Sequence, residues 1–151
     1  MSDESGAKQL ARACSDSLHR RDNAAQMLGI TIVDTGPGRC ELSMRITESM
    51  LNGHGVCHGG ILFALADTAL AHASNSRNRS SVASICHIDF LRPAGSGSTI
   101  TASAVERFSG RRKGSYDIEL HDQQARLIAL FRGETVSTDF PVIVERGDTN
   151  E

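Results

Sequence analysis

The sequence predicts an α+β domain in which an antiparallel sheet wraps around one long central helix, with a further helix at the N-terminus. Two observations carry this prediction. The first is the segment from Gly59-Gly60 to about Ser76, whose ILFALADTALAHASNS stretch is almost wholly apolar and rich in alanine. It is long enough to be a helix, and a helix with no polar face is a buried one. The second is a set of short alternating segments on both sides of it, bounded by Gly, Pro, Asn and Asp, as strands and their turns are. A single buried helix in a small domain must be covered by a sheet that curls around it.

Taken in order, residues from about Ala7 to Met27 place Leu10, Ala11, Cys14 and Leu18 at helical spacing with charges between them, which predicts an amphipathic surface helix. GITIVDT and RCELSMRIT then alternate through Ile30, Ile32, Cys40, Leu42, Met44 and Ile46, and Gly36-Pro37-Gly38 joins them as a β-hairpin. A polar loop, TESMLNGHGVCH, leads to the central helix, where Ala64, Ala66, Ala69, Ala71 and Ala73 would admit close packing all round. Four strands are expected next, Val82 to Leu91, Thr99 to Phe108, Ser115 to His121 and Ala125 to Thr135, running as a meander through turns at RPAGSGS, SGRRKG and HDQQ. One domain spans residues 1–151, with flexible ends at 1–6 and from about 140 to 151. This order of elements describes the hotdog fold.

The chain has 151 residues, and a domain of this size buries roughly 70% of the surface its unfolded chain exposes, so a sizeable core is available. Sixteen Lys and Arg nearly balance eighteen Asp and Glu, which leaves no strong field for nucleic acid or a membrane surface. No apolar run reaches the ~20 residues of a membrane span, and MSDESGAKQLARACSDS lacks the apolar centre of a secretion signal. The expected location is the cytoplasm. Cys14, Cys40, Cys57 and Cys86 stand too far apart for a disulfide scaffold or a C-x-x-C pair and are read as free thiols.

Asp67 is the residue that most needs a chemical explanation. The positions three and four away on its helix are Phe63, Ala64, Leu70 and Ala71, so nothing there can pair with it. A desolvated carboxylate has a raised pKa, which suits a nucleophile or a general base. Gly59-Gly60 at the helix start leaves backbone N–H groups bare where the helix dipole favours negative charge, the makings of an oxyanion hole, although a tight turn would use the same glycines. At ~1.5 Å per residue, Gly59 and Asp67 lie about 12 Å apart along one helix, so one reacting carbon cannot meet both. If both act, each site must combine Gly59 of one subunit with Asp67 of another, which requires two antiparallel central helices about a two-fold axis.

LNGHGVCHGGILFALADTALAHASNS, followed by IDFLRPA, YDIEL and ALFRG, resembles the phenylacetate-degradation (PaaI-type) hotdog thioesterases from about Met27 to Gly133. The run Asn52-Gly53-His54, Cys57-His58-Gly59-Gly60 and Ala66-Asp67-Thr68 carries the likeness most specifically. The resemblance implies an acyl-CoA thioesterase that needs no cofactor, CoA being part of the substrate, and that forms homodimers pairing into homotetramers. It implies phenylacetyl-CoA or hydroxyphenylacetyl-CoA as substrate. It also implies Asp67 as nucleophile or base, Gly59 as oxyanion donor, and Asn52 and His58 as partners around the thioester carbonyl. Asn52 in Asn-Gly also reads as a plain turn residue, and His58 as a helix cap. Thr68 is expected to support Asp67 or to bond back to its own helix. Ser84, Arg111, Arg112 and Lys113 are candidates for the CoA arm and its phosphates, and Arg92 shares that reading; a strand serine and a solvated turn are the alternatives.

Three rival chemistries follow from the same residues. Cys57-His58 as a nucleophile pair is disfavoured because adjacent residues rarely align thiolate and imidazole, and no further orienting group is evident. His54, Cys57 and His58 match no closed zinc site, so no metal is expected. Asp67 and His72 are spaced like the Asp and His of hotdog enoyl-CoA hydratases, but five helical positions differ by about 140° in direction. A non-catalytic acyl-CoA-binding module is the reading from another class, and the intact carboxylate speaks against it.

Overall fold

The computed structural model describes residues 2–144. Helix α1 (Ser2–Arg21) begins well before the expected Ala7, with Asp3 and Glu4 in its first turn and His19, Arg20 and Arg21 in its last, charges that suit the helix dipole at both ends. The single expected helix is in fact two. Asp22 turns the chain and its carboxylate accepts the Ala25 N–H at 2.9 Å, starting the short α2 (Asn23–Met27). Ala11, Cys14 and Ser15 form the buried side of α1.

Strands β1 (Thr31–Gly36) and β2 (Arg39–Arg45) form the expected hairpin, and Gly38 takes a positive φ of 70° in its turn. The central helix is α3 (Gly59–Ser74). Strands β3 (Ser81–Phe90), β4 (Thr99–Ser109), β5 (Lys113–His121) and β6 (Leu127–Ser137) complete one antiparallel sheet in the order β1-β2-β4-β5-β6-β3. The four-strand meander expected after the helix is therefore wrong in one respect. Only β4, β5 and β6 run as a meander; β3 pairs with β6 at the far edge, and Arg92–Ser98 carries the chain across to β4 beside β2. RPAGSGS is that crossover and not a hairpin turn. Its place is fixed by bonds from Cys57 N–H to Ala94 O and from Ile46 N–H to Ser98 O, both 2.8 Å.

The sheet curls over α3, and strand alternation sends Leu42, Met44, Ile100, Ala102, Ile118, Leu120 and Phe131 into the core with Leu62, Leu65, Ala66, Ala69, Leu70 and Ala73 of the helix. Contact is close where β6 passes under the helix: a Cβ on Gly133 would come 2.5 Å from Leu70 Cδ2. The expectation that α3 is covered all round does not hold within one protomer. One sheet reaches round about half the helix, and the other side, with Gly60, Ala64, Asp67, Thr68 and Ala71, is exposed or half-buried.

The flexible start expected for 1–6 is helical from Ser2 on, and Met1 lies outside the described residues. The end of the described chain is also held. Asn78 Oδ1 accepts the N–H groups of Val142 (3.0 Å) and Ile143 (2.8 Å), and Ser80 N–H donates to Phe140 O at 2.9 Å. The rest of the expected flexible tail, residues 145–151, lies outside the described residues. Among the described residues no helix is long and apolar enough to cross a membrane.

Candidate active site

Asp67 stands half-buried on the open side of α3, and among the described residues it accepts no hydrogen bond and meets no cation. Burial pushes its pKa up, and the negative charge of Asp22 adds to the rise. The Cys86 thiol on β3 feels the Asp67 charge in turn, which places the carboxylate beside the inner side of the edge strand. An ionised side chain left unpaired at this depth costs stability, so its retention points to chemistry.

The start of α3 is built by the loop before it. Asn52 Oδ1 accepts the N–H groups of His54 (2.9 Å) and Val56 (3.3 Å), and His58 N–H donates to Met50 O at 2.8 Å. His58 is the N-cap: its Nδ1 accepts the Gly60 N–H at 3.0 Å, which leaves Nε2–H as the outward donor of the neutral ring. The cap role and the turn role read from sequence for His58 and Asn52 are thus both present. They consume the Gly60 N–H and the Asn52 carbonyl, and they leave the Gly59 N–H and the Asn52 amide nitrogen without acceptors among the described residues. Asn52, Gly59, Leu62, Phe90 and Arg92 share a pocket of about 350 Å³. Phe90 is its aromatic wall, because a Cβ on Gly59 would come within 2.9 Å of the Phe90 ring.

Asp67 is not in that pocket. Gly59 and Asp67 both belong to α3, about 12 Å apart along its axis, as their spacing requires. Of the other expected residues, Thr68 donates back to Ala64 O at 2.7 Å. Ser84 is exposed in a β-bulge between Ala83 and Ile85 and donates to Glu134 O at 3.2 Å. Arg92 is exposed and fixed at the pocket rim by a bond to Leu127 O at 2.8 Å. Arg111 and Arg112 lie exposed in the β4–β5 turn, with Lys113 opening β5. Among the described residues no three His, Cys, Asp or Glu side chains stand together as metal ligands would.

His72 does not join Asp67. It is 2% exposed on the side of α3 that faces the α1–α2 corner, and neither ring nitrogen has a partner among the described residues. Burial, with His19 close by, pulls its pKa down to about 4 against the opposing charges of Asp22 and Asp16. The ring is therefore a neutral core group. A base depressed in the folded state contributes stability above its ordinary pKa of 6.5, and this is lost as pH falls toward 4, on the order of 3 kcal/mol in full. His72→Leu is expected to keep or raise the melting temperature at pH 7 and to flatten its decline between pH 6.5 and 4. Equal pH slopes for the two proteins would show that the imidazole is not buried neutral.

A family model described as the thioesterase superfamily matches residues 54–129, half of the chain and the whole of α3. The acyl-coenzyme A thioesterase PaaI of Escherichia coli K12 is 49% identical over 119 residues, 79% of this chain and 85% of that protein. The chain belongs to the thioesterase superfamily. With an acyl-coenzyme A thioesterase 49% identical over 79% of its length, it is an enzyme, a thioester hydrolase. Within the superfamily, the solved structure of the E. coli PaaI protein from the phenylacetic acid degradation operon superposes with a TM-score of 0.88 at 44% identity, over 89% of this chain and 97% of that one. A mutant of the phenylacetic acid degradation protein PaaI of Thermus thermophilus gives 0.75 at 37% identity, over 78% and 100%.

Three residues near the site escaped the sequence reading. Phe90 and Cys86 share the inner side of β3, a placement readable from period-2 alternation only once β3 is known to sit at the edge beside α3. Asp22 reads locally as a helix cap, and only tertiary packing brings its charge to Asp67.

Proposed function

We propose that this protein hydrolyses acyl-CoA thioesters, with phenylacetyl-CoA or hydroxyphenylacetyl-CoA as its substrate, in sites shared between two protomers. The observation that carries the reading is the half-buried, unpartnered Asp67 on the side of α3 that the protomer's own sheet leaves open. A second α3 laid antiparallel against that side brings Gly59 of one protomer to Asp67 of the other and makes two equivalent sites. The edge strand supports the same pairing, since among the described residues β3 has no neighbour on its outer side, and it exposes Val82 (58%) and Ile85 (63%). Pairing of such dimers into tetramers belongs to the proposal through the resemblance.

In this arrangement the Gly59 N–H holds the thioester oxygen, with His58 Nε2–H and the Asn52 amide as further donors. Asp67 then acts in one of two ways. Its oxygen adds to the carbonyl carbon, the C–S bond breaks, the CoA thiolate leaves and takes a proton, and water cleaves the mixed anhydride. Alternatively Asp67 takes a proton from water, the hydroxide adds, and the C–S bond breaks. The aryl-acetyl preference rests on the named relatives and on the Phe90 wall.

The test is thiol release from acyl-CoAs ranging from acetyl to hydroxyphenylacetyl, with hydration of crotonyl-CoA followed in parallel. The expected result is fastest release from the aryl-acetyl thioesters and no hydration. Hydration without thiol release would replace the reading with a hydratase, and tight binding with neither reaction would make the protein a sensor.

A further inference from the structure

Asp67 has a companion carboxylate on another element. Asp22 closes the corner between α1 and α2, and both of those helices pack on α3. Its side chain lines a cavity of about 340 Å³ together with Leu18, Arg21, Asn23, Ala71 and His72. Ala71 is four residues beyond Asp67, one turn or about 6 Å along α3 and on the same side of the helix. Asp22 therefore meets α3 one turn from the candidate catalytic carboxylate.

The corner is held in place, and its charge is left unpaired. Asp22 Oδ1 accepts the Ala25 N–H at 2.9 Å, and the Asp22 carbonyl accepts the Gln26 N–H at 3.1 Å. Gln26 Nε2 donates back to His19 O (2.8 Å) and Arg20 O (3.2 Å), and buried Ala25 seats the turn in the core. The neighbouring cation is turned away: the Arg21 guanidinium donates to Ser17 O (3.1 Å), Ser17 Oγ (3.2 Å) and Val142 O (3.1 Å). Arg12 is taken by Asp16, and Arg20 is exposed to solvent. His72 lines the same cavity with its pKa pulled down to about 4, so it is neutral, and the buried Nδ1 of His19 has no partner among the described residues. On the β3 side of Asp67, burial and the Asp67 charge push the Cys86 thiol up, so it too stays neutral.

A helix cap does not need this charge. Asp, Asn and Ser cap about equally well, because the cap uses only an acceptor oxygen. A carboxylate just beyond the end of the 20-residue α1 also faces the negative end of that helix's dipole. Two carboxylates turned toward one half-buried stretch of α3, with no cation between them among the described residues, oppose folding. We propose that Asp22 is a positioning residue of the hydrolysis: fixed at the α1–α2 corner and kept free of cations, it acts through space on Asp67 and makes that carboxylate a stronger base or nucleophile. The step rests on the reading of Asp67 as the reactive group. It gives the N-terminal helices a part in the chemistry although they need not touch the substrate.

Three variants separate charge from cap. Asp22→Asn and Asp22→Ser keep an acceptor for the Ala25 N–H and lose the charge, whereas Asp22→Ala loses both. The intact protein, labelled with carbon-13 at its aspartate carboxyls, is titrated by NMR, and the Asp67 signal is assigned by its absence from Asp67→Asn. Thiol release from phenylacetyl-CoA is followed over the same pH range, and thermal melts confirm that each variant folds. Asp22→Asn and Asp22→Ser are both expected to move the Asp67 titration to lower pH, since loss of the like charge favours the ionised form. At a fixed pH on the acidic limb, their thiol release is expected to exceed wild type by about threefold or more. An Asp67 titration unmoved in both variants, with any loss of activity confined to Asp22→Ala, would reduce Asp22 to a cap and overturn the proposal. A titration that moves while the acidic limb of thiol release stays in place would leave the electrostatic link standing, but it would remove Asp67 from the mechanism and the positioning role of Asp22 with it.

Discussion

Asp67→Asn is expected to lower kcat by about 10²–10⁴-fold and, at the same time, to raise the melting temperature at neutral pH. The two effects have one origin. Burial and the Asp22 charge raise the Asp67 pKa above its ordinary 3.8, so the folded protein binds that proton more tightly than the unfolded chain does. The stabilising contribution is therefore complete below about pH 3.8 and is lost as pH rises through the folded value, which leaves an ionised group that opposes folding near pH 7. Asparagine keeps the shape without the charge. In the proposed mechanism the ionised form is the reactive one, so the acidic limb of kcat is expected to lie above the range of an ordinary aspartate. Activity assays and thermal melts on the same preparations check both halves. An Asp67→Asn protein with full turnover would remove the residue from the mechanism, and one that loses turnover together with stability would point to a structural part.

Two inactive variants are expected to restore each other. Gly59 is the first residue of α3, where proline is tolerated, and His58 before it has φ −58° and ψ 132°, which a following proline accepts. Gly59→Pro therefore deletes the free N–H with little cost to the helix, and loss of one oxyanion donor lowers kcat by about 10²–10³-fold. Gly59→Ala is the companion control, since it adds a Cβ against Phe90 but keeps the N–H. Co-expressed with Asp67→Asn chains, Gly59→Pro chains form mixed dimers in which one site carries both defects and the other neither. With random pairing, half of the dimers are mixed and half of their sites are intact, so about a quarter of wild-type activity should return. Activity of the mixture no higher than that of either parent would reject the shared site.

The central helix and its candidate carboxylate were legible because their signals are local. Two glycines open the helix, an apolar run sustains it, and Asp67 interrupts that run. The candidate residues before the helix could be named but not distinguished in role, since Asn52 and His58 serve the loop with one atom and are free to serve a ligand with another. What the sequence did not carry was strand order. Alternation marks Ser81–Phe90 as a strand but says nothing about its neighbour, and its place beside β6 follows from how the crossover packs under Cys57 and Ile46. The break at Asp22 was hidden for a similar reason, because the apolar spacing on the two sides of a cap is nearly continuous.

The open side of α3 is lined by Gly60, Ala64 and Ala71, and in the proposed pair these are the residues through which two helices touch. The gap between amide and carboxylate is then neither a loop conformation nor a rotamer. It is an interaxial distance, near the short end of the roughly 8–10 Å range because the contacts are small. A single added methyl group on this line, well away from any reacting atom, would act as a shim that separates the carboxylate from the proposed oxyanion donor in both sites at once. Catalytic geometry in such an enzyme is calibrated by its smallest side chains.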